Sequence, residues 1–248
     1  MKAFWRLPLA GVAAYLLILL ITLPADRVAR LLEQNIAGLD LQSVSGTLFS
    51  GKADRVVIHG LGMGPVTWSL RPLSLLLARL EYRLDLKDPV FLGTGVVGMA
   101  PGGHVYLHDL QAELKPDSLV NHFSPLPVQT SGDVRLLIES MDVIDGFPRE
   151  LSGHVDWVDA RIIEPLEMSL GHVEATLQSE EDTLVCRLNG AGETTLSGDF
   201  SLTRGDDYRL NLLLTPGPEV SADIIDGLKS FAQARPGGAF LITDSGHL

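Results

Sequence analysis

Apolar residues form one long unbroken run near the start of the chain and short alternating runs after it. The unbroken run, Leu7 to Leu23, reads LPLAGVAAYLLILLITL and contains no charged side chain. Its 17 residues would extend about 26 Å as a helix, close to the ~30 Å hydrocarbon core of a bilayer. The pattern predicts a transmembrane helix over residues 7–23 that follows a cytoplasmic tail of residues 1–6.

The flanks of this run predict its orientation. Lys2 and Arg6 precede it, and the positive-inside rule then places the N-terminus in the cytoplasm. A cleaved signal peptide is the alternative, but cuts after Ala25 or Ala29 would put Leu23 or Arg27 where a small residue is required. An uncleaved anchor is favoured. Its predicted membrane-anchor residues are Leu7, Leu16, Leu17, Ile18, Leu19, Leu20, Ile21 and Leu23.

Helical spacing continues beyond the run. Val28, Leu31 and Leu32 recur at the interval of one helix face, and Gly38 suits a left-handed helix end. We therefore expect the helix to run on out of the bilayer, with a juxtamembrane helix at residues 24–38.

From Leu39 the period becomes two, which is typical of strands. In Arg79–Leu86 the alternation predicts a buried face of apolar residues and a solvent-exposed face that includes Glu81. The other alternating segments are Val105–Leu114, Val134–Ile138, Val155–Ile163, Val173–Leu177, Leu184–Leu188, Leu196–Leu202 and Tyr208–Leu214. Residues 39–248 are therefore predicted to form a β-rich domain.

A few short helices are expected within this array. Leu73–Ala78 reads as one or two helical turns or the start of a strand, and Pro116–Phe123 reads as a short helix. Ser221–Ala234 has a serine cap and an apolar stripe, and a last strand follows at Ala239–Thr243. The predicted fold class is mainly β: one N-terminal transmembrane helix, then a curved, predominantly antiparallel sheet with a few short helices.

The negative charge of the chain after Leu23 argues against some classes of binding partner. Only two of the 19 basic residues precede Leu23, so the rest of the chain carries 17 of them against all 31 acidic residues, a formal charge of −14. Such a domain repels nucleic acid and, over its general surface, anionic lipid. Cys186 is the one cysteine and lies in an alternating segment, which favours a small buried hydrophobe over a reactive thiol.

Each motif that resembles a catalytic, cofactor or metal site is better explained as ordinary structure. The run Gly93–Gly98 matches G-x-G-x-x-G, but Pro101 and two glycines follow where a helix should continue, so a bent glycine-rich strand is favoured. His104 and His108 would lie about 13 Å apart on a strand, too far to share one ion. His154 and Asp156 fit an exposed polar face. We predict no catalytic, cofactor or metal residues and no enzyme activity.

Several weak motifs together resemble one family. They are G-x-L-x-x-G at Gly46–Gly51, V-x-W-x-L-x-P at Val66–Pro72, and the later segments LSLLLARLEYRLDL, SGDVRLLIE, LSGHVDWVDARI, TTLSGDFSL, DYRLNLLLTP and GGAFLITDSGHL. With the basic start and the single span, this arrangement resembles the type II secretion system protein N family over nearly the whole chain.

The resemblance implies a single-pass inner-membrane protein of Gram-negative bacteria whose C-terminal domain is periplasmic. It also implies other secretion-system subunits as partners beside inner-membrane lipid, and a likeness to AsmA proteins, whose curved sheets form apolar grooves. It carries over no catalytic residues. The motif positions Gly46, Gly51, Trp68, Leu70 and Pro72 keep an unknown role. For Trp68, core packing is favoured over a partner-facing or membrane-facing position.

Two functions follow from these observations. The first is a non-enzymatic accessory component of type II secretion, an anchored interaction module that aids export of folded proteins across the outer membrane. The alternative is lipid binding or transfer, since an apolar sheet face without a covering layer would form a groove for acyl chains.

Overall fold

The computed structural model describes residues 22–58, 60–89, 91–116, 129–144, 146–164 and 167–247. The chain divides into two compact units, residues 1–89 and residues 90–248. Each is built mainly of antiparallel strands, so the predicted mainly β, antiparallel class with short helices is confirmed.

The first unit begins with helix α1, Ala25–Asn35, and includes a 3-10 helix at Ser74–Leu77. Strands β1, β4 and β5 form a three-stranded antiparallel sheet, and β2, β3, β6 and β7 pair in that order. The strands are β1 Leu39–Gln42, β2 Ser45–Gly46, β3 Ser50–Ala53, β4 Arg55–Ile58, β5 Leu61–Met63, β6 Val66–Leu70 and β7 Leu80–Lys87.

The second unit is a meander in which nearly every strand pairs with its neighbour in sequence. The order is β8-β9-β10-β12-β13-β14-β15-β16-β18-β17, with β11 on β10. Its strands are β8 Phe91–Met99, β9 Val105–Leu114, β10 Gln129–Ile144, β11 Phe147–Pro148, β12 Ser152–Glu164, β13 Met168–Glu180, β14 Thr183–Ala191, β15 Thr194–Thr203, β16 Asp207–Pro216, β17 Gln233–Ala234 and β18 Phe240–His247. Helix α2 is Ala222–Phe231, and a 3-10 turn covers Pro236–Gly238.

The predicted membrane span can be compared with the structure only at its end. Of the predicted anchor residues, Leu23 is described, and the other seven lie outside the described residues. Across the described part of the chain, every helix is too short or too polar to cross a bilayer. The span over residues 7–23 therefore stays a prediction.

The expectation that α1 continues the preceding run is wrong. Pro24 is extended, with φ −65° and ψ 134°, and α1 begins at Ala25. A residue before proline disfavours helical geometry, and proline itself is well tolerated at a helix start. The helix end is close to expectation, since Gly38 takes a positive φ of 75° three residues after Asn35.

The predicted burial of β7 side chains is also wrong at two residues. Glu81, predicted to face solvent, is 8% exposed, whereas Leu80, predicted to be on the buried face, is 39% exposed. The Glu81 carboxylate lies 3.1 Å from the Arg71 guanidinium. A buried carboxylate needs such a partner, and a sequence pattern that counts only polarity does not reveal it.

The expected short helices have different outcomes. Leu73–Ala78 contains the 3-10 helix rather than a strand start. Ser221 is followed by α2, which ends at Phe231, and residues 233–234 of the predicted helix form β17. The helix predicted at Pro116–Phe123 lies outside the described residues except for Pro116.

Candidate functional site

One face of the second unit carries apolar side chains in rows that run across the strands. Alternate residues of a strand point to the same face, so residues paired between strands share a face. The first row, which we name the covered row, is Leu114, Val134, Trp157, Val173, Gly190, Leu196, Leu214 and Phe240.

Two further rows lie beside it, and we name them the open rows. The second row is Ala112, Leu136, Val155, Ala175, Leu188, Gly198, Leu212 and Ile242. The third row is Leu110, Ile138, Gly153, Leu177, Cys186, Phe200 and Leu210.

Helix α2 packs against the covered row. Leu228 is 0% exposed and belongs to one cluster with Leu196, Leu214 and Phe240, which are 4–6% exposed. Ile224 and Ile225 of α2 pack against the same cluster. The helix therefore supplies the second layer of this core.

The open rows are buried less completely than the covered row, although Ala112, Ile138 and Ala175 within them are only 4–7% exposed. Leu136, Leu177, Leu188, Phe200 and Leu210 are only half-buried although they share the apolar face. The reverse face is polar, as the paired residues Arg135, Asp156, Glu174 and Asn189 illustrate. This part of the sheet is amphipathic, and its apolar side is incompletely covered by the described residues.

Cys186 lies in the third row. It is a free thiol and half-buried, and burial raises the pKa of that thiol because a thiolate would lose its hydration. This environment fits the predicted small hydrophobe better than a nucleophile, which needs a lowered pKa.

A second constellation, in the first unit, brings together motif residues that are distant in sequence. The hairpin of β2 and β3 places Gly46 opposite Gly51, and Gly51 in turn pairs with Trp68 of β6. An added Cβ on Gly51 would overlap the indole ring of Trp68. Gly46 has a φ of 97°, which glycine adopts without strain. The two glycines therefore make room for the ring and for the turn.

Hydrogen bonds link this hairpin to the chain that enters the unit. The Trp68 Nε1–H donates to the Thr47 carbonyl oxygen at 3.2 Å. The Leu48 N–H donates to the Leu23 carbonyl oxygen at 3.0 Å, and Pro24 forms a bridge with Thr47. We name this set, Leu23 and Pro24 with the hairpin of residues 46–51 and Trp68, the entry clasp.

The remaining motif positions lie beside the clasp. The Leu70 N–H donates to the Phe49 carbonyl oxygen at 2.7 Å. Pro72 is exposed in the connection between β6 and β7. Four of the five motif positions thus have a structural contact in the clasp, which the sequence alone did not indicate because the contacts join distant residues.

One polar cluster in the described residues has ligand atoms close enough for a metal ion. The His172 Nε2 lies 3.5 Å from Asp156 Oδ1 and 3.5 Å from Glu174 Oε1. The His172 and Asp156 side chains are about half exposed, and that of Glu174 is 72% exposed. His154, which was expected on the same polar strand face as Asp156, has its Nε2 4.0 Å from Glu139 Oε1. The cluster was not predicted from the sequence. His172 and Glu174 lie two residues apart on β13, and Asp156 joins them only because β12 pairs with β13. Exposed ion pairs of this kind are common without an ion.

The other sequence candidates take ordinary positions. Gly93, Gly95 and Gly98 lie in β8, and the register shifts between Thr94 and Val96, which confirms a bent glycine-rich strand. His108 lies within β9, and its Nδ1 is 2.8 Å from the Asp109 carboxylate.

Comparison with known proteins gives one consistent match. The family model described as type II secretion system (T2SS), protein N matches residues 37–243. A protein of that name from Aeromonas hydrophila is 28% identical over 241 residues, which cover 95% of each chain. One from Vibrio cholerae serotype O1 is 25% identical over 219 residues, 85% of this chain and 86% of that one. No solved structure matches the chain. The likeness to AsmA proteins stays a prediction.

Proposed function

The chain belongs to the type II secretion system protein N family, and from that membership we propose that it is a membrane-anchored, non-enzymatic interaction module of the secretion machine. The apolar run at residues 7–23 holds it in the inner membrane with its N-terminus in the cytoplasm. The two β units then lie in the periplasm, where they bind other secretion-system subunits.

The observation that carries this proposal is the family match over nearly all of the β-rich chain. Two features support the anchored topology: the uncharged run ends at Leu23, and the entry clasp binds Leu23 and Pro24 to the first unit. The acidic character of the chain after Leu23 suits basic or neutral protein surfaces rather than nucleic acid.

Deleting the protein from its host is expected to reduce export of a folded type II substrate, which then accumulates in the periplasm. Substrate in the medium and in the periplasm is measured by immunoblot, with a protein that reaches the periplasm independently of the machine as control. Expression of the full chain should restore export, and a chain whose residues 7–23 are replaced by a cleaved signal peptide should restore less. Unchanged export in the deletion strain would count against a role in secretion.

A second function, binding of acyl chains, is favoured by the open rows. Apolar side chains at half burial in several adjacent strands offer more contiguous apolar surface than isolated exposed residues do. An acyl chain lying across the strands would contact Leu177, Leu188 and Phe200 and would cover surface that α2 leaves partly exposed.

A Leu188→Lys substitution is expected to weaken binding of a photoactivatable phospholipid by about tenfold or more, since a tenfold change corresponds to ~1.4 kcal/mol and a charge in an apolar groove costs more. Crosslinked lipid is measured by mass spectrometry of the gently purified full chain. Asn189→Lys is the matched control, because Asn189 is the next residue of β14, is exposed and faces the other side. Equal crosslinking in both variants, with unchanged thermal unfolding, would exclude the open rows as the lipid site.

A further inference from the structure

The connection between β6 and β7 exposes a dense group of leucines. Leu73, Leu75, Leu76 and Leu77 are 78%, 46%, 82% and 68% exposed. We name residues 71–79, which read RPLSLLLAR, the leucine loop. Exposed apolar side chains that are contiguous, rather than scattered, mark interaction surfaces.

Backbone hydrogen bonds hold these leucines outward. Residues 74–77 form a 3-10 helix, and the Ala78 N–H donates to the Leu75 carbonyl oxygen at 3.0 Å. Ser74 is buried, and its hydroxyl donates to the Arg71 carbonyl oxygen at 2.6 Å, while the Arg79 N–H donates to the Ser74 carbonyl oxygen. The loop is therefore built around its one small polar residue, with the leucines pointing away from the unit.

The loop lies at the end of the strands where the chain enters the first unit. The Leu70 N–H, just before the loop, donates to the Phe49 carbonyl oxygen at the tip of the β2–β3 hairpin. The same tip binds Leu23 through Leu48. Neighbouring strands are about 5 Å apart and consecutive Cα atoms about 3.8 Å apart, so the loop begins within roughly 14 Å of the point where the apolar run ends.

The charges of the loop suit a lipid headgroup layer. Arg71 and Arg79 bracket the leucines, in a chain that is otherwise strongly acidic. Arg71 is 48% exposed at its side chain and lies 3.1 Å from Glu81, which holds the guanidinium beside the leucines. Arginine side chains at such positions extend toward phosphate groups while neighbouring apolar residues enter the acyl region.

We propose that the leucine loop inserts into the periplasmic leaflet of the same bilayer that the N-terminal run spans. It forms a second, shallow membrane contact that sets the orientation of the first unit on the membrane surface. This inference rests on the proposed anchoring, because only the span brings the loop to the leaflet. A protein partner on the leucines is the competing occupant.

The test places a fluorophore at the loop in the full chain, reconstituted in vesicles of phosphatidylethanolamine and phosphatidylglycerol. Leu76→Cys, in a Cys186→Ser background, is labelled with an environment-sensitive dye. We expect a blue-shifted emission, loss of quenching by aqueous iodide and gain of quenching by spin-labelled lipid. Gln42→Cys is the control: Gln42 is exposed, and the Asp54 N–H donates to its carbonyl oxygen, which places it at the far end of β3.

The outcomes separate this inference from the anchoring on which it rests. Retention of the protein on vesicles after an alkaline wash is measured first, and a washed-off protein would overturn both. A retained protein whose label at position 76 is as accessible to iodide as the label at position 42 would overturn the loop insertion alone. Protection of position 76 that appears only when other secretion subunits are added would also overturn it and assign the leucines to a protein.

A second variant checks the result without a label. Changing Leu73, Leu76 and Leu77 together to serine should leave folding intact, because these three side chains are 68–82% exposed. On vesicles, trypsin is expected to cut after Arg79 in the serine variant and to be excluded there in the native sequence. Equal cleavage of both proteins would overturn the insertion.

Discussion

Replacing Leu228 with alanine is expected to lower the free energy of unfolding by about 2–5 kcal/mol, the range for leucine-to-alanine changes in packed cores. Leu228 is 0% exposed and contacts the cluster that α2 shares with the covered row. Alanine removes those contacts and leaves a cavity between helix and sheet. Urea unfolding measures the change, and a Trp5→Phe, Trp68→Phe background leaves Trp157, which packs against the same cluster, as the one fluorescent tryptophan.

Phe231→Ala in the same helix is the matched control. Phe231 is 53% exposed, so its loss should change the free energy of unfolding by less than about 1 kcal/mol. A similar decrease for both variants would mean that the burial of Leu228 is not what stabilises this unit, because alanine is at least as good a helix former as either residue. No decrease for Leu228→Ala would contradict the packing of α2 on the sheet.

Most of the long strands of the second unit could be predicted because they share one pattern, the alternation of apolar and polar residues. A sheet with one apolar and one polar face forces alternation, and Val134, Leu136 and Ile138 show it within the strand that pairs with β9 and β12. From β12 to β16 the connections are only two or three residues long, so each of these strands pairs with its neighbour in sequence. The antiparallel meander therefore follows from local patterns.

Interactions between distant residues could not be predicted in this way. Glu81 and Arg71 are ten residues apart and meet only because the loop between β6 and β7 folds back, so the alternation rule placed Glu81 on the wrong face. His172 meets Asp156 only through the register of β12 and β13. Periodicity records which face a residue prefers and contains no information on which residue lies opposite.

At the candidate site too, the contacts of the motif positions join residues that are distant in sequence and could not be predicted from it. The sequence singled out Gly46, Gly51 and Trp68 through family resemblance and left their role open. The structure places them in one arrangement, in which a tryptophan covers a glycine and binds the hairpin that receives Leu23. Spacing within G-x-L-x-x-G does not reveal that the residue paired with Gly51, Trp68, lies 17 residues further on in another strand.

Disruption of the entry clasp is the change with the most specific expected effect. Trp68→Ala removes the indole that covers Gly51 and the hydrogen bond from Nε1 to Thr47. For a half-buried tryptophan we expect a loss of about 2–4 kcal/mol in the free energy of unfolding, somewhat below the range for fully buried aromatic residues. Trp68→Phe keeps a ring over Gly51 and should lose about 1 kcal/mol, the usual value of one hydrogen bond.

Local release of the clasp is distinguished from general destabilisation by where a protease cuts. Trp68→Ala frees the hairpin that binds Leu23 and Pro24, so trypsin should cut after Arg27 and Arg30 at the start of α1 sooner than in the native protein. Leu228→Ala, of similar expected cost, acts in the other unit and should leave this site protected under native conditions. If both variants open the Arg27 site equally, the indole acts only on overall stability. If only Trp68→Ala opens it, the tryptophan holds the first unit to the point where the chain leaves the predicted span.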